Sequence, residues 1–242
     1  MQKNMFRMGK TIPKYKVQFI DLGVCDFKKA WNFQISVFDK IISWKKSAEP
    51  DKKQPPGALI FVEHPHVYTL GKSGSESNLL IDSIQIKAKG AAFYRIDRGG
   101  DITYHGPGQI VCYPIFNLEA LNIGLKEYIY KLEKTIVNVV EEYGLKVSRH
   151  EGTTGVWLDP DVAEKARKIC AIGVKASRFV TMHGLAFNVN TNLEYFNFIN
   201  PCGFADKGVT SLEKELGTKQ DFDTAKRIVG EKIKEVFNLE IF

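Results

Sequence analysis

The sequence predicts an α+β fold, a mixed, largely antiparallel sheet flanked by helices. Three observations carry this. Short runs of strand-forming residues cluster in the middle of the chain. Stretches with apolar residues three and four apart lie between and after them. The last third carries a helix-start signature, Thr210-x-x-Glu213, read as a capping box. With 242 residues, 44% hydrophobic and 26% charged, the chain is long and apolar enough for a substantial core.

The elements follow in order. Met1–Lys16 holds five basic residues and no acid, and lacks the apolar core of a signal peptide, so residues 1–16 are expected to be a flexible N-terminal segment. Val17–Leu22 is strand-like. From Asp26 to Trp44, apolar residues at Phe27, Ala30, Trp31, Ile35, Phe38, Ile41 and Ile42 mark an amphipathic helix. Lys45–Gly57, rich in Lys and ending in Pro55-Pro56, is an exposed loop and not a domain boundary. Ala58–Val62, Phe93–Ile96 and Ile110–Phe116 are strands. Lys126–Tyr143 is a second amphipathic helix, with Ile129, Leu132, Ile136, Val139, Val140 and Tyr143 on one face. Strand-like pieces follow at Gly155–Leu158, Ile169–Val174 and Gly184–Val189. Leu193–Ile199 reads as helical, and Asp223–Phe237 has helical periodicity. No repeat occurs, and one domain spanning 1–242 is expected.

Bulk properties exclude several classes. No run of about 18 apolar residues exists, so no membrane span is expected. The net charge of +6 reads first as a solvated lysine-rich surface and second as a dock for an acidic partner. No Arg-rich run, zinc finger or RNA-binding aromatic signature accompanies it, so nucleic acid is not expected as a partner. The four cysteines, Cys25, Cys112, Cys170 and Cys202, contain no C-x-x-C. That argues against a structural metal site and for reduced thiols in a cytosol.

Four stretches carry chemistry. Arg98-Gly-Gly-Asp-Ile-Thr-Tyr-His-Gly-Pro-Gly-Gln109 packs four glycines and a proline into twelve residues. It matches neither a dinucleotide fingerprint nor a P-loop. Clasped between strands, such a loop is either a tight hairpin or a seat for an extended, partly apolar ligand. In Arg167–Lys175, a period of two puts Lys168 on the face of Cys170, Ile172 and Val174. Lys168 then ends the strand at the surface or turns inward as a catalytic amine. His183 lies at the lip of a strand, a position more often structural. Cys112 and Cys170 sit in apolar runs and read as core, whereas Cys202, in Asn200-Pro-Cys-Gly-Phe204, sits in a turn where its thiol can meet a substrate. Lys168, His105 or His183 could each favour its thiolate, leaving a Cys/His and a Cys/Lys reading open.

In this order, Arg98–Gln109, Lys168-Ile-Cys-Ala-Ile-Gly173, His183-Gly-Leu-Ala-Phe-Asn-Val-Asn190 and Asn200-Pro-Cys-Gly203 resemble the lipoyl(octanoyl) transferases, over roughly Val17 to Leu216. The resemblance implies the fold of the biotin and lipoate protein ligases. It implies transfer of octanoyl from octanoyl-acyl carrier protein to a lysine of lipoyl domains, on the E2 subunits of 2-oxoacid dehydrogenases and the glycine cleavage H protein. It implies that Cys202 carries the acyl group as a thioester and that Lys168 is its acid/base partner. It implies an acyl site lined by Arg98, Gly99, Gly100, Asp101, Ile102, Thr103, Tyr104, His105, Ala171, Ile172, Gly173, Gly184, Leu185 and Ala186, with His183 nearby. It implies no cofactor, metal or ATP, and a cytoplasmic location. An ATP-dependent lipoate–protein ligase would not need Cys202, and a non-catalytic acyl-binding module would need neither Cys202 nor Lys168. A biotin ligase would carry G-R-G-R-x-G-R, which is absent. A thiol protease would require an orienting Asn or Asp that cannot be assigned.

Overall fold

The computed structural model describes residues 14–47, 53–150, 152–162, 164–200 and 208–242. Most of the expected N-terminal segment, part of the Lys45–Gly57 loop and Cys202 lie outside them.

The elements run β1 (Tyr15–Val24), α1 (Phe27–Lys46), β2 (Gly57–Glu63), β3 (Val67–Leu70), α2 (Ser83–Ala88), β4 (Ala92–Arg95), β5 (Ile102–His105), β6 (Gln109–Ile115), α3 (Leu125–Glu142), β7 (Ser148–Arg149), β8 (Val156–Leu158), β9 (Arg167–Ser177), β10 (Val180–Asn188), β11 (Gly208–Val209), α4 (Leu212–Leu216), α5 (Phe222–Phe237) and β12 (Leu239–Ile241). The described residues form a nine-stranded sheet, β12-β1-β2-β6-β10-β9-β8-β7, with β11 on the far side of β9 from β8, and a three-stranded sheet, β4-β3-β5. The large sheet is mixed. β1 is parallel to β12 and β2, and β11 to β9, while the remaining pairs are antiparallel. This is the α+β architecture expected.

Period-two alternation sorts the sheet into two faces. Leu59, Phe61, Ile110, Cys112, Leu185 and Phe187 pack against Leu132, Ile136, Val139 and Val140 of α3 and Ala225, Val229 and Ile233 of α5. Ala58, Ile60, Val62, Val111, Tyr113, Ile115, Met182 and Ala186 turn to the other face, under Ala30, Phe38, Ile41 and Ile42 of α1. Each large side chain so buried contributes about 1.5–3 kcal/mol. The α1 start is fixed by Asp26, whose carboxylate accepts the Lys29 N–H at 3.1 Å. Cys112 and Cys170 are fully buried, as their apolar runs predicted, and burial pushes both thiols up.

The small sheet lies beside the α1 face. Its core joins Tyr68, Leu70, Ile102 and Tyr104 to Ile199 and to the six-residue 3₁₀ helix Leu193–Phe198. That helix is tighter than the one read from the sequence. Its Tyr195 ring stacks on His66 at 4.1 Å and on Tyr104 at 5.0 Å, and the Tyr68 hydroxyl donates to the Tyr195 carbonyl at 2.9 Å. The chain leaving that helix is tied down by Leu80 N–H to Phe198 O and Asn200 N–H to Asn78 O.

One boundary differs from the sequence reading. The α4 cap is Ser211, whose hydroxyl accepts the Lys214 N–H at 3.2 Å, not Thr210. Strand pairing is the reason. Thr210 N–H donates to Lys168 O at 3.0 Å, which keeps Thr210 extended, and its hydroxyl reaches Glu215 Oε1 at 2.5 Å.

Gly155 sets the start of β8. Its φ of +123° suits glycine, and an added Cβ would lie 2.6 Å from the Cys170 carbonyl oxygen. Its N–H donates at 3.0 Å to the buried carboxylate of Glu133. Gly155→Ala is therefore expected to lower stability by about 2–4 kcal/mol. Urea unfolding monitored by circular dichroism checks this, and a midpoint within error of the parent would contradict it.

Candidate active site

A cavity of about 530 Å³ opens on the α1 face of the large sheet, with Phe27 at the start of α1 in its wall. Its floor is made of small residues on adjacent strands: Gly173 of β9 pairs with Gly184 of β10, and Ala171 with Ala186. Side chains of ordinary size at these positions would fill the space. Val111 and Tyr113 of β6 border the floor on one side, and Trp157 of β8 and Lys168 of β9 on the other. The glycine-rich block forms the roof. It comes so close at one point that a Cβ on Gly173 would lie 3.0 Å from both Gly99 O and the Arg98 stem, and Gly99 N–H donates to Val174 O at 2.8 Å.

The roof is built by backbone zipping. Gly71, Lys72 and Ser73 N–H groups donate to the carbonyls of Asp101, Arg98 and Gly100 respectively. Arg98 is nearly buried. Its Nη2 donates to Thr69 O at 2.7 Å and Thr69 Oγ1 at 3.0 Å, and its Nη1 to Gly99 O at 3.0 Å. Asp101 accepts from Asn78 Nδ2 at 2.6 Å and from the Ile102 N–H at 2.7 Å. Of the expected lining residues in this block, Arg98 to Thr103 and His105 line the cavity. Tyr104 does not. Strand alternation turns it into the small-sheet core, with its hydroxyl 2.7 Å from His66 Nδ1. Ala171, Ile172, Gly173, His183, Gly184, Leu185 and Ala186 all line it.

Lys168 reaches the cavity by a route that simple alternation misses. Val156 pairs with Cys170, but the next residue, Trp157, pairs with Lys168, leaving Ile169 as an extra residue in β9. Ile169 and Cys170 both enter the α3/α5 core. Lys168 is thereby rotated to the opposite face, and not, as a strict period of two predicted, onto the face of Cys170, Ile172 and Val174. On that face it shares the cavity wall with Trp157, its Nζ 4.6 Å from the centre of the indole ring.

The histidines are supports. His105 is pushed down to about 3 and His64 to about 4, in both cases chiefly by burial. Both rings are therefore neutral near pH 7. His105 Nδ1 lies 2.8 Å from Gln109 Oε1, and because that oxygen can only accept, Nδ1 carries the proton. Gln109 Nε2 donates to Asn188 Oδ1 at 2.8 Å, Asn188 Nδ2 donates to Thr210 O at 2.9 Å, and Thr210 N–H returns to Lys168 O. A continuous buried network thus links roof to lysine. His183 has a left-handed backbone, φ +62°, unusual inside a strand. Gln34 Oε1 accepts its N–H at 3.1 Å, and its Nε2 lies 3.1 Å from Asp97, which also pairs with Lys175 at 2.5 Å. The bond to His183, reinforced by Lys175, holds the Asp97 carboxyl well below its usual range. Burial lowers the His183 pKa. Its ring therefore braces the residue preceding Arg98.

Trp157, Gln109, Asn188, Asp97 and His64 were not singled out from the sequence. Gln109 and Asn188 lie inside the two quoted motifs, so a signal existed. Trp157 reads as ordinary strand packing, and the partners of Asp97 and His64 are tertiary. Cys202 lies outside the described residues. The described residues on either side contribute Phe196 and Gly208 to the cavity wall, and Gly208–Val209 pairs directly with Arg167–Lys168.

The family model described as "Lipoyl protein ligase A/B catalytic domain" matches residues 30–234. An octanoyltransferase of Parabacteroides distasonis is 53% identical over 220 residues, covering 91% of this chain and 98% of its own. One from Flavobacterium johnsoniae is 51% identical over 229 residues, covering 93% and 98%. Among solved structures, a bi-partite lipoate protein ligase of Thermoplasma acidophilum, studied with its E2 lipoyl domain, aligns over 94% of this chain and 86% of its own, with TM-score 0.66 at 14% identity. A lipoate-protein ligase A bound with ATP aligns over 95% and 88%, with TM-score 0.65 and 14% identity. These two establish the shared fold. The chain belongs to the lipoyl protein ligase A/B catalytic-domain family and stands among its octanoyltransferases, which are acyltransferases.

Proposed function

We propose that this chain moves octanoyl from octanoyl-acyl carrier protein to a lysine of lipoyl domains, on E2 subunits and glycine cleavage H protein, through a thioester on Cys202. One observation carries the reading: an amine, Lys168, is turned into an apolar, small-residue cavity whose wall includes the chain on both sides of Cys202. The relatives' names supply the acyl group.

Protons balance across two steps. Cys202 as thiolate attacks the donor's thioester carbonyl, with Lys168 as ammonium beside it. The carrier's thiol leaves, taking its proton from Lys168. The acceptor's neutral amine then attacks the enzyme thioester, Lys168 takes the proton that this amine loses, and the Cys202 thiolate departs. The first exchange is thioester for thioester and nearly balanced, and the amide formed in the second makes the sequence run forward. Since the donor is already activated, no ATP is consumed. The location in this reading is cytosolic. It is supported by the free thiols of Cys25, Cys112 and Cys170 and accompanied by the observation that, among the described residues, no helix is long and apolar enough to cross a membrane.

Incubation with octanoyl-acyl carrier protein without ATP should give a hydroxylamine-sensitive octanoyl adduct by intact mass, absent in Cys202→Ser. An adduct indifferent to that change, or transfer that depends on ATP, would overturn the reading. Lys168→Ala should slow acylation by about 100-fold or more with the fold retained. The net charge of +6 leads to a further expectation. The Michaelis constants for both acidic protein substrates should rise between low and physiological salt, and salt-independent constants would remove electrostatic docking from the account.

A further inference from the structure

We propose that Trp157 is a positioning residue for Lys168, its ring face holding the ammonium in place and in the charged state. The inference rests on Lys168 acting as the acid/base partner.

The placement is built from three directions. Trp157 and Lys168 are directly paired across β8 and β9, so their side chains leave the sheet on the same face. The indole is 3% exposed and lines the cavity, with the Lys168 Nζ 4.6 Å from its centre. The ring cannot swing away. Val156 and Leu158 on either side are buried in the α3/α5 core, and the His150 ring meets its edge at 5.7 Å. The lysine stem is confined as well, because Cδ and Cε lie 3.5 Å from where a Cβ on Gly155 would stand.

The chemistry explains why an aromatic face suits this position. An apolar cavity disfavours an ammonium and would release its proton early. The negative face of an indole offsets this by attracting the cation. A carboxylate would do the same but would cancel the charge. An indole adds no opposing charge of its own and still lets the proton leave in the transfer step. Among the described residues, the other ionisable groups near this corner are His150 and Arg167 of β9 with Asp159 and Glu215 on its own side, and Glu133 of α3 with Arg149 upon it and the buried Cys170 on the other face of the sheet. A change at Trp157 alters the packing of His150 but removes none of these ionisable groups.

The test is the pH profile of single-turnover acylation of the full chain by octanoyl-acyl carrier protein. W157F keeps a ring and should retain the rate within about threefold and the profile nearly unmoved. W157L should lose about tenfold near neutrality, with the alkaline limb moved to lower pH by about half to one unit, the size expected for a lost cation–π contact. A uniform loss at all pH values, or no loss, would overturn the inference and leave Trp157 as packing alone. Should W157L not fold, fluorinated tryptophans of increasing fluorine content supply the second measurement, with equally labelled W157F as control for Trp31 and Trp44. The alkaline limb must then fall in steps with fluorination in the parent and stay fixed in the control, and an unmoved limb refutes the proposal. A Lys168→Ala chain acylating at the normal rate would instead remove the acid/base reading beneath it.

Discussion

The cavity depends on β9 carrying one residue more than β8 between the pairs Val156–Cys170 and Trp157–Lys168. Without Ile169 as the extra residue, alternation would drive the lysine into the α3/α5 core, where an unpaired ammonium costs several kcal/mol. With it, two consecutive apolar residues, Ile169 and Cys170, fill that core and the lysine emerges on the other face. Gly155 is the complementary concession in β8. Its backbone conformation brings the β8 entrance against the Cys170 carbonyl, and Glu133 accepts its N–H. A defect in strand pairing thus places the Lys168 amine on the cavity wall while keeping its backbone in the sheet.

The rest of the site is scaffold made rigid by buried polar groups. The network from His105 through Gln109 and Asn188 to Thr210 crosses β6 and β10 and ends where β11 is stitched to Lys168. Every bond in it is neutral, which fits groups that must stay fixed while charge moves elsewhere. Burial keeps His64 and His105 uncharged near neutrality, so neither brings a charge to the scaffold. Residues on both sides of the Cys202 segment are held by the same scaffold, Asn200 through Asn78 and Gly208 through Ala166.

Much of this was legible in the sequence, and the failures share a cause. Helix α1 was readable because seven apolar residues repeat at helical spacing, and the central strands because they are apolar runs of the right length. Three of the four motifs located the floor, the roof and Lys168, while the rest of the wall, among it Phe27, Val111, Tyr113 and Trp157, comes from elements that they do not cover. Strands β3, β5 and β12 and the short β7 and β11 were missed because they are brief and defined by their partners. The bulge at Ile169 depends on β8, so period-two counting within β9 had no means of finding it. Tyr104 was assigned to the site as part of Arg98–His105, the stretch that the resemblance implied, yet its side chain packs in the small-sheet core. Helix α4 starts one residue late because Thr210 pairs with Lys168, again a contact made across the fold.

The charges around the cavity show a division of labour. The carboxylates are engaged with nearby donors: Asp97 with His183 and Lys175, Asp101 with Asn78 and its neighbouring amide, Glu133 with Arg149 and Gly155, Glu215 with Arg167 and Thr210. Among the described residues, the cations lining the cavity are Arg98 and Lys168, whose partners include neutral groups: carbonyls and a hydroxyl for the guanidinium, an indole face for the ammonium. Neutral partners fix a cation without extinguishing its field. That of Arg98 reaches His105 and His183 and helps lower both. An acyl thioester entering over the Gly173–Gly184 floor would meet an apolar surface along its chain and a positive potential around its carbonyl. In the proposed reaction a tetrahedral oxyanion would gain most from such a potential and the neutral thioester little, so the arrangement would favour the transition state over the bound thioester.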